Sequence, residues 1–209
     1  MAAETSSANS FVRGMKRIMV VGAACSGKST LARCVSEQLD MPHVEFDGLF
    51  WNPGWNYAPE NTVRERLRSA TSGNRWLLDG NCLEFREIVW PRADTVVWLD
   101  YPMGQVLWWA LRRTFARCWT RELLWSNNVE SFQRTFFCQD SFLLWATQNW
   151  RKRRRDYSKL LRQSESRHLQ VFQLRSLEET QEWLGLLQAS DDGHGAVAPT
   201  PLAPYKRAG

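Results

Sequence analysis

Gly22-Ala23-Ala24-Cys25-Ser26-Gly27-Lys28-Ser29-Thr30 fits the pattern G-x-x-x-x-G-K-[ST], a glycine-rich loop that cradles phosphates. Its flanks supply the context the pattern requires. Ile18-Met19-Val20-Val21 is an apolar run of strand length, and Leu31 to Leu39 carries helical spacing. Gly22 and Gly27 permit backbone turns that a Cβ would obstruct. The loop's N–H groups and the N-terminus of the following helix then converge on one point that favours an anion. Lys28 can reach terminal phosphates, and the Ser29 hydroxyl can hold Mg²⁺. All of residues 22–30 are therefore expected to bind a nucleotide.

Outward from the loop, the chain of 209 residues is long enough for one α/β domain with a sizeable core, and 44% of it is hydrophobic. The net charge of +5 suits anionic partners without choosing among nucleotides, nucleic acids and acidic surfaces. The twelve tryptophans are expected mostly in the core or lining a cleft. Cys25, Cys34, Cys82, Cys118 and Cys138 are odd in number and form no C-x-x-C pair, which argues against a disulfide framework and a zinc site. With no apolar leader in Met1–Ser10 and no run of eighteen apolar residues, a reduced, cytoplasmic location and no membrane span are expected.

Strands alternate with helices. Strands are expected at 16–22, 43–46, 75–79, 95–99 and 168–174, and helices at 28–39, 60–72, 82–90, 103–121, 149–164 and from Ser176. Residues 48–59, with Phe50, Trp51, Pro53, Gly54, Trp55 and Tyr57, read as a packed functional loop. Residues 122–148 read as a helical, aromatic-rich cap. The alternation implies a parallel sheet with helices on both faces, and ligands bind beyond the carboxyl ends of such strands.

Asp47, Asp79 and Asp100 fall at those ends. Asp79 ends the cleanest apolar strand and is the first choice for a metal, with Ser29. Asp47 is the second candidate and can instead contact or deprotonate an acceptor. Asp100 reads as a turn residue before Pro102. His43 and His168 read as strand-edge residues without a catalytic partner. Arg112, Arg113, Arg117 and the run Arg151-Lys152-Arg153-Arg154-Arg155 offer cations. Five consecutive helical residues cannot share one face, so one or two of the run point inward.

Together these residues resemble the adenylate-kinase-like P-loop kinases. Trp76-Leu77-Leu78-Asp79-Gly80 is similar to the strand whose Asp serves the metal, and Val97-Trp98-Leu99-Asp100-Tyr101-Pro102 to the strand before the lid. The resemblance puts Arg113 at the lid hinge and Arg153 at a phosphate-contacting position. Pro42 to Trp55, with Asp79-Gly80-Asn81 and Arg92-Ala93-Asp94-Thr95, is most similar to bacterial topology modulation or FlaR-like proteins, except that Cys82 stands where that subgroup carries Tyr. The AMP-site Thr/Arg pattern of adenylate kinase does not follow the second strand, which argues against AMP as acceptor.

The resemblance implies a three-layer α/β/α P-loop NTPase fold with a five-stranded parallel sheet and a helical lid insertion. Composition marks a disordered, Ala/Ser-rich N-terminus at 1–14 and a disordered, Gly/Ala/Pro-rich tail at 189–209, with a single domain at 15–188 between them that holds an acceptor region about 46–73 and a lid about 114–150. The resemblance implies a kinase that uses ATP and Mg²⁺ on a nucleotide or other small acceptor, with Lys28, Asp47, Arg113 and Arg153 as catalytic residues. The alternative is an ATP-dependent nucleic-acid-binding or DNA-topology regulatory protein with little kinase activity, contacting DNA or RNA through 151–155 and the aromatic residues at 132–145.

Overall fold

The computed structural model describes residues 14–120, 123–124, 128–129 and 142–191. The elements follow one another as β1 Arg17–Gly22, α1 Lys28–Leu39, β2 His43–Glu45, α2 Phe46–Phe50, β3 Trp51–Asn52, β4 Asn56–Tyr57, α3 Glu60–Ala70, β5 Trp76–Asp79, α4 Arg86–Val89, β6 Thr95–Leu99, α5 Met103–Thr120, β7 Leu123–Leu124, β8 Asn128–Val129, α6 Phe142–Leu160, β9 Gln170–Leu174 and α7 Leu177–Asp191. Five strands form one sheet in the order β2-β5-β1-β6-β9, and every pairing in it is parallel. The anticipated five-stranded parallel sheet is present, and its strand bounds shift by two residues at most.

The sheet is legible because its centre is apolar on both faces. Ile18 to Val21, Leu77, Leu78, Val96 and Val97 are almost wholly buried, as expected when helices cover both sides of a parallel sheet. One face packs Met19, Val21, Trp76, Leu78 and Trp98 against Val63, Leu67, Phe85 and Tyr157. The other packs Ile18, Val20, Leu77 and Val97 against Leu31, Val35, Trp183 and Leu187. Of the tryptophans, Trp76, Trp90, Trp98 and Trp183 are core, whereas Trp108 lies exposed on α5.

Several expectations change. The strand read as 43–46 ends at Glu45, and Phe46 begins the short helix α2. The loop read at 48–59 contains a two-stranded hairpin, β3–β4, closed by a 3₁₀ turn at Pro53–Trp55 with Gly54 at φ 75°. Strands of two residues carry no periodicity to read. The helix read as 82–90 is a 3₁₀ turn, Leu83–Phe85, running into α4. Inside the region read as a helical cap, β7 and β8 form an antiparallel hairpin, and α6 begins at Phe142 rather than 149. The aromatic residues Phe132, Phe136 and Phe137 lie outside the described residues. His168 precedes β9 instead of opening it, and its Nε2 lies 3.0 Å from the Trp90 carbonyl. Ser176 caps α7 as expected, accepting from the Glu179 N–H at 3.1 Å, and α7 runs past 189 to Asp191. The termini at 1–13 and 192–209 lie outside the described residues.

Gly80, directly after β5, sets the height of α2 over the sheet. Its φ is +130°, and a Cβ built there would stand 2.6 Å from the Phe46 Cβ. Gly80→Ala therefore combines backbone strain with a clash against the α2 backbone neighbourhood. The expected cost is about 2–4 kcal/mol, or a Tm drop on the order of 5–15 °C by thermal melting. An unchanged Tm would show that α2 is free to shift.

Candidate functional site

The loop between β1 and α1 has the backbone its glycines anticipate. Gly22 has φ +151° and lies so near β6 that a Cβ would be 2.7 Å from the Leu99 carbonyl oxygen. Gly27 caps α1 in the left-handed region at φ 87°, and a Cβ there would meet nothing within 4 Å. Cys25 also sits left-handed, at φ 64°. No side chain caps α1, and its first turn holds no acidic residue, so its leading N–H groups are left for an anion.

Two asparagines fasten this loop to the rest of the protein. The Gly22 N–H donates to Asn81 Oδ1 at 3.4 Å, and the Ala24 N–H donates to Asn149 Oδ1 at 3.2 Å. The buried Tyr157 hydroxyl donates to the same Asn81 oxygen at 3.0 Å. Helix α6 is thereby bonded to the loop directly and through β5. Asn149 is a residue the sequence reading missed. Its signal lies in spacing: 149, 153 and 157 recur every four residues and make one stripe of α6.

Lys28 Nζ donates to the carbonyls of Ala23 at 2.8 Å and Gly22 at 3.3 Å. Burial lowers its pKa below the ordinary lysine value, while Asp47 and Asp79 pull it back up. Asp47 responds in mirror image. Loss of water around its carboxyl raises its pKa, Lys28 opposes this, Asp79 reinforces it, and Arg113 opposes it in turn. Asp47 nonetheless keeps an exposed face. Asp79 is buried at the end of β5. Ser29 is exposed in the first turn of α1. Lys28, Asp47, Asp79 and Arg113 thus form one electrostatic group around the loop.

His43 Nε2 is buried 3.4 Å from Asp79 Oδ1 and makes no hydrogen bond among the described residues; the parallel register sets His43 beside Leu77, two residues before Asp79. Asp100 is more than a turn residue. It is buried, with Arg154 Nε at 3.1 Å and Gln173 Nε2 donating at 2.8 Å. Arg154 lies over the Trp150 ring at 5.0 Å, and Trp150 Nε1 donates to the Tyr101 carbonyl at 2.9 Å. Asp100, Arg154 and Gln173, with Trp98 and Val171, line a groove of about 310 Å³ between α6 and the edge strand β9.

The basic run divides as its helical placement requires. Arg151, Lys152 and Arg155 face solvent, Arg154 pairs with Asp100, and Arg153 is partly buried. Arg153 acts electrostatically on Cys82 and Tyr157, and its Nε is buried without a hydrogen-bond partner among the described residues. Cys82, placed where the resemblance expected Tyr, is a buried thiol pushed up to about 12 by desolvation. The side chain of Arg117 lies outside the described residues, and Arg112 is exposed.

The residues present fit a nucleotide with its cation. The loop offers glycine space at Gly27, uncapped N–H groups and Lys28, and Arg153 carries an orphaned donor toward the interior. Ser29 and Asp79 are two oxygens of the kind Mg²⁺ uses when substrate phosphates and water complete its shell.

No known family profile matches the chain. It is 26% identical over 134 residues to YqaC, an uncharacterized protein of Bacillus subtilis (strain 168), covering 63% of this chain and 71% of that one. No described helix is long and apolar enough to cross a membrane. Among solved structures, shikimate kinase from Aquifex aeolicus vf5 is 17% identical and covers 85% of this chain and 96% of its own, with a TM-score of 0.49. Shikimate kinase from Acinetobacter baumannii, in complex with shikimate, is 19% identical and covers 86% of this chain and 96% of its own, with a TM-score of 0.51. At that identity the likeness is one of fold, and with the parallel sheet and the glycine loop it gives this chain the α/β fold of the P-loop kinases.

Proposed function

We propose that the protein is an ATP-dependent phosphotransferase, related to the adenylate-kinase-like and topology modulation proteins, that moves the γ-phosphoryl of ATP to a hydroxyl of a small acceptor. One observation carries the reading. Asp47, a carboxylate open to the cleft, stands within electrostatic reach of the P-loop lysine and of Asp79. That brings a candidate base, a phosphate-binding cation and a metal-binding carboxylate together at one loop.

The roles follow from position. Residues 22–30 hold the ATP phosphates through backbone N–H groups. Lys28, with Arg113 and Arg153, offsets the charge that builds on the transferring group. Ser29 and Asp79 would hold Mg²⁺, which would supply charge neutralisation on the phosphates. Asp47 accepts the acceptor's hydroxyl proton. The hydroxyl oxygen then bonds to the γ-phosphorus, the bond from phosphorus to the β–γ bridging oxygen breaks, and ADP leaves.

The test is ADP release by the purified full-length chain with ATP and Mg²⁺, across a panel of hydroxylated metabolites and nucleoside monophosphates. At least one acceptor is expected to raise turnover tenfold or more above the acceptor-free rate. ATP hydrolysis that no acceptor stimulates would overturn the kinase reading and favour the regulatory ATPase.

A further inference from the structure

The acceptor side of the cleft carries a ladder of aromatic rings. From the core outward, Phe85 contacts Phe46 at 5.9 Å between ring centroids, Phe46 contacts Phe50 at 5.7 Å, and Phe50 contacts Tyr57 at 5.1 Å. Tyr57 stacks on Trp51 at 4.8 Å with an interplanar angle of 27°. Tyr57 is 68% exposed, although it sits on a hydrogen-bonded hairpin. The hairpin is braced rather than slack. The Ala58 N–H donates to the Phe50 carbonyl at 3.0 Å, and Asn56 Nδ2 donates to the Pro53 carbonyl at 2.9 Å. Strand β8 approaches the Pro53–Trp55 turn of the same hairpin.

Two cations of this side, Arg64 and Arg66, are already engaged. Arg64 pairs with Glu60 at 2.8 Å and with Glu87, and its guanidinium lies 5.4 Å from the Phe85 ring centroid. Arg66 donates to the Leu49 carbonyl at 3.0 Å. Around Asp47 the charged neighbours are Lys28, Asp79, Arg113 and Glu45. Its two cations there, Lys28 and Arg113, belong to the phosphate loop and the α5 hinge. Once ATP engages them, an anionic acceptor beside Asp47 meets the carboxylates of Asp47, Asp79 and Glu45. Burying an anion on those terms is unfavourable. An aromatic face, by contrast, binds any ring through its π surface without a compensating charge.

We propose that the acceptor is an uncharged, hydroxyl-bearing ring compound, held by stacking on the Trp51–Tyr57 pair with its hydroxyl at Asp47. The chemistry is shared by nucleosides and by neutral sugars or cyclic polyols. It excludes nucleoside monophosphates and sugar acids as preferred acceptors. The proposal rests on the kinase reading and names the substrate class of that site.

The test has two readouts on the full-length chain. Calorimetry, with a non-hydrolysable ATP analogue and Mg²⁺ bound, measures binding of adenosine, a neutral hexose and inositol against AMP and gluconate. ADP release measures transfer to the same compounds. At least one neutral member is expected to bind about tenfold or more tighter than its anionic counterpart. Tyr57→Ala and Trp51→Ala are each expected to raise the acceptor KM about 5- to 100-fold while the KM for ATP stays put. Glu60→Gln combined with Glu87→Gln frees Arg64 and is expected to narrow the preference for neutral acceptors. The nucleoside and the sugar arms separate the two sources. Tighter binding of AMP or gluconate, or no measurable binding of any neutral ring, sinks the proposal, as does an acceptor KM that ignores both aromatic truncations. Binding of a neutral ring without ADP release sinks the kinase reading alone.

Discussion

Lys28→Met is expected to lower phosphoryl transfer by about 10³-fold or more, because it removes the one P-loop side chain that can follow charge onto the transferring phosphate. Lys28 Nζ donates to the Ala23 and Gly22 carbonyls of the same loop. The folded protein need not lose stability with the change. Burial holds the Lys28 pKa below its unfolded value, so the charged form is disfavoured in the fold. That penalty is full below the folded pKa and disappears only above the unfolded one, near 10.4, so it operates at neutral pH. The nucleotide-free Tm of Lys28→Met is thus expected to equal or exceed that of the wild type, while the Tm rise on adding ATP and Mg²⁺ is largely lost. Differential scanning fluorimetry with and without nucleotide separates these effects. A variant that keeps both its ATP-induced shift and its turnover would remove Lys28 from the site.

How much of this was open to sequence reading depended on the length over which each signal repeats. β1, β5 and β6 are buried on both faces, so each appears as an apolar run, closed by Gly22, Asp79 and Asp100 respectively. The parallel sheet, the glycine loop and the placement of Asp79 followed from that. Residues 51–57 are different. A hairpin with two-residue strands has no period, and its aromatic content spoke of packing without specifying what packs. The nearness of His43 to Asp79 could not be read from the chain, because the two lie on different strands and meet only through the β2–β5 register. Asp100 was misjudged for a similar reason, since Arg154 is more than fifty residues away in the chain. The run 151–155 shows the opposite case. Helical geometry alone said that its members diverge, and Arg153, Arg154 and Arg155 do face three different surroundings. That division also weakens a continuous nucleic-acid-binding strip, which needs its cations on one face.

Asp47→Asn is expected to reduce kcat about 10²- to 10⁴-fold, the range for losing a general base, while leaving ATP binding close to wild type. The amide keeps the shape of the side chain and cannot accept the hydroxyl proton. The pH dependence gives the sharper signature. Desolvation raises the Asp47 pKa, Asp79 and Glu45 push in the same direction, and Lys28 and Arg113 oppose them. Activity that needs the ionised carboxylate therefore falls on an acid limb lying above the usual carboxylate range near 3.9. The asparagine variant should show a low rate without that limb. Stability moves the other way. An aspartate whose folded pKa is raised contributes stability that is present below its unfolded pKa and is lost as pH rises through the folded value. Where its carboxylate is ionised, Asp47 is a cost to the fold, so Asp47→Asn should melt higher than wild type at high pH, with the gap closing toward acid pH. The pair of results has one cause, a carboxylate held in a place chosen for chemistry at some expense of folding. A variant with wild-type kcat, or one whose rate keeps the same acid limb, would assign the proton to another group and leave Asp47 as a residue that only shapes the cleft.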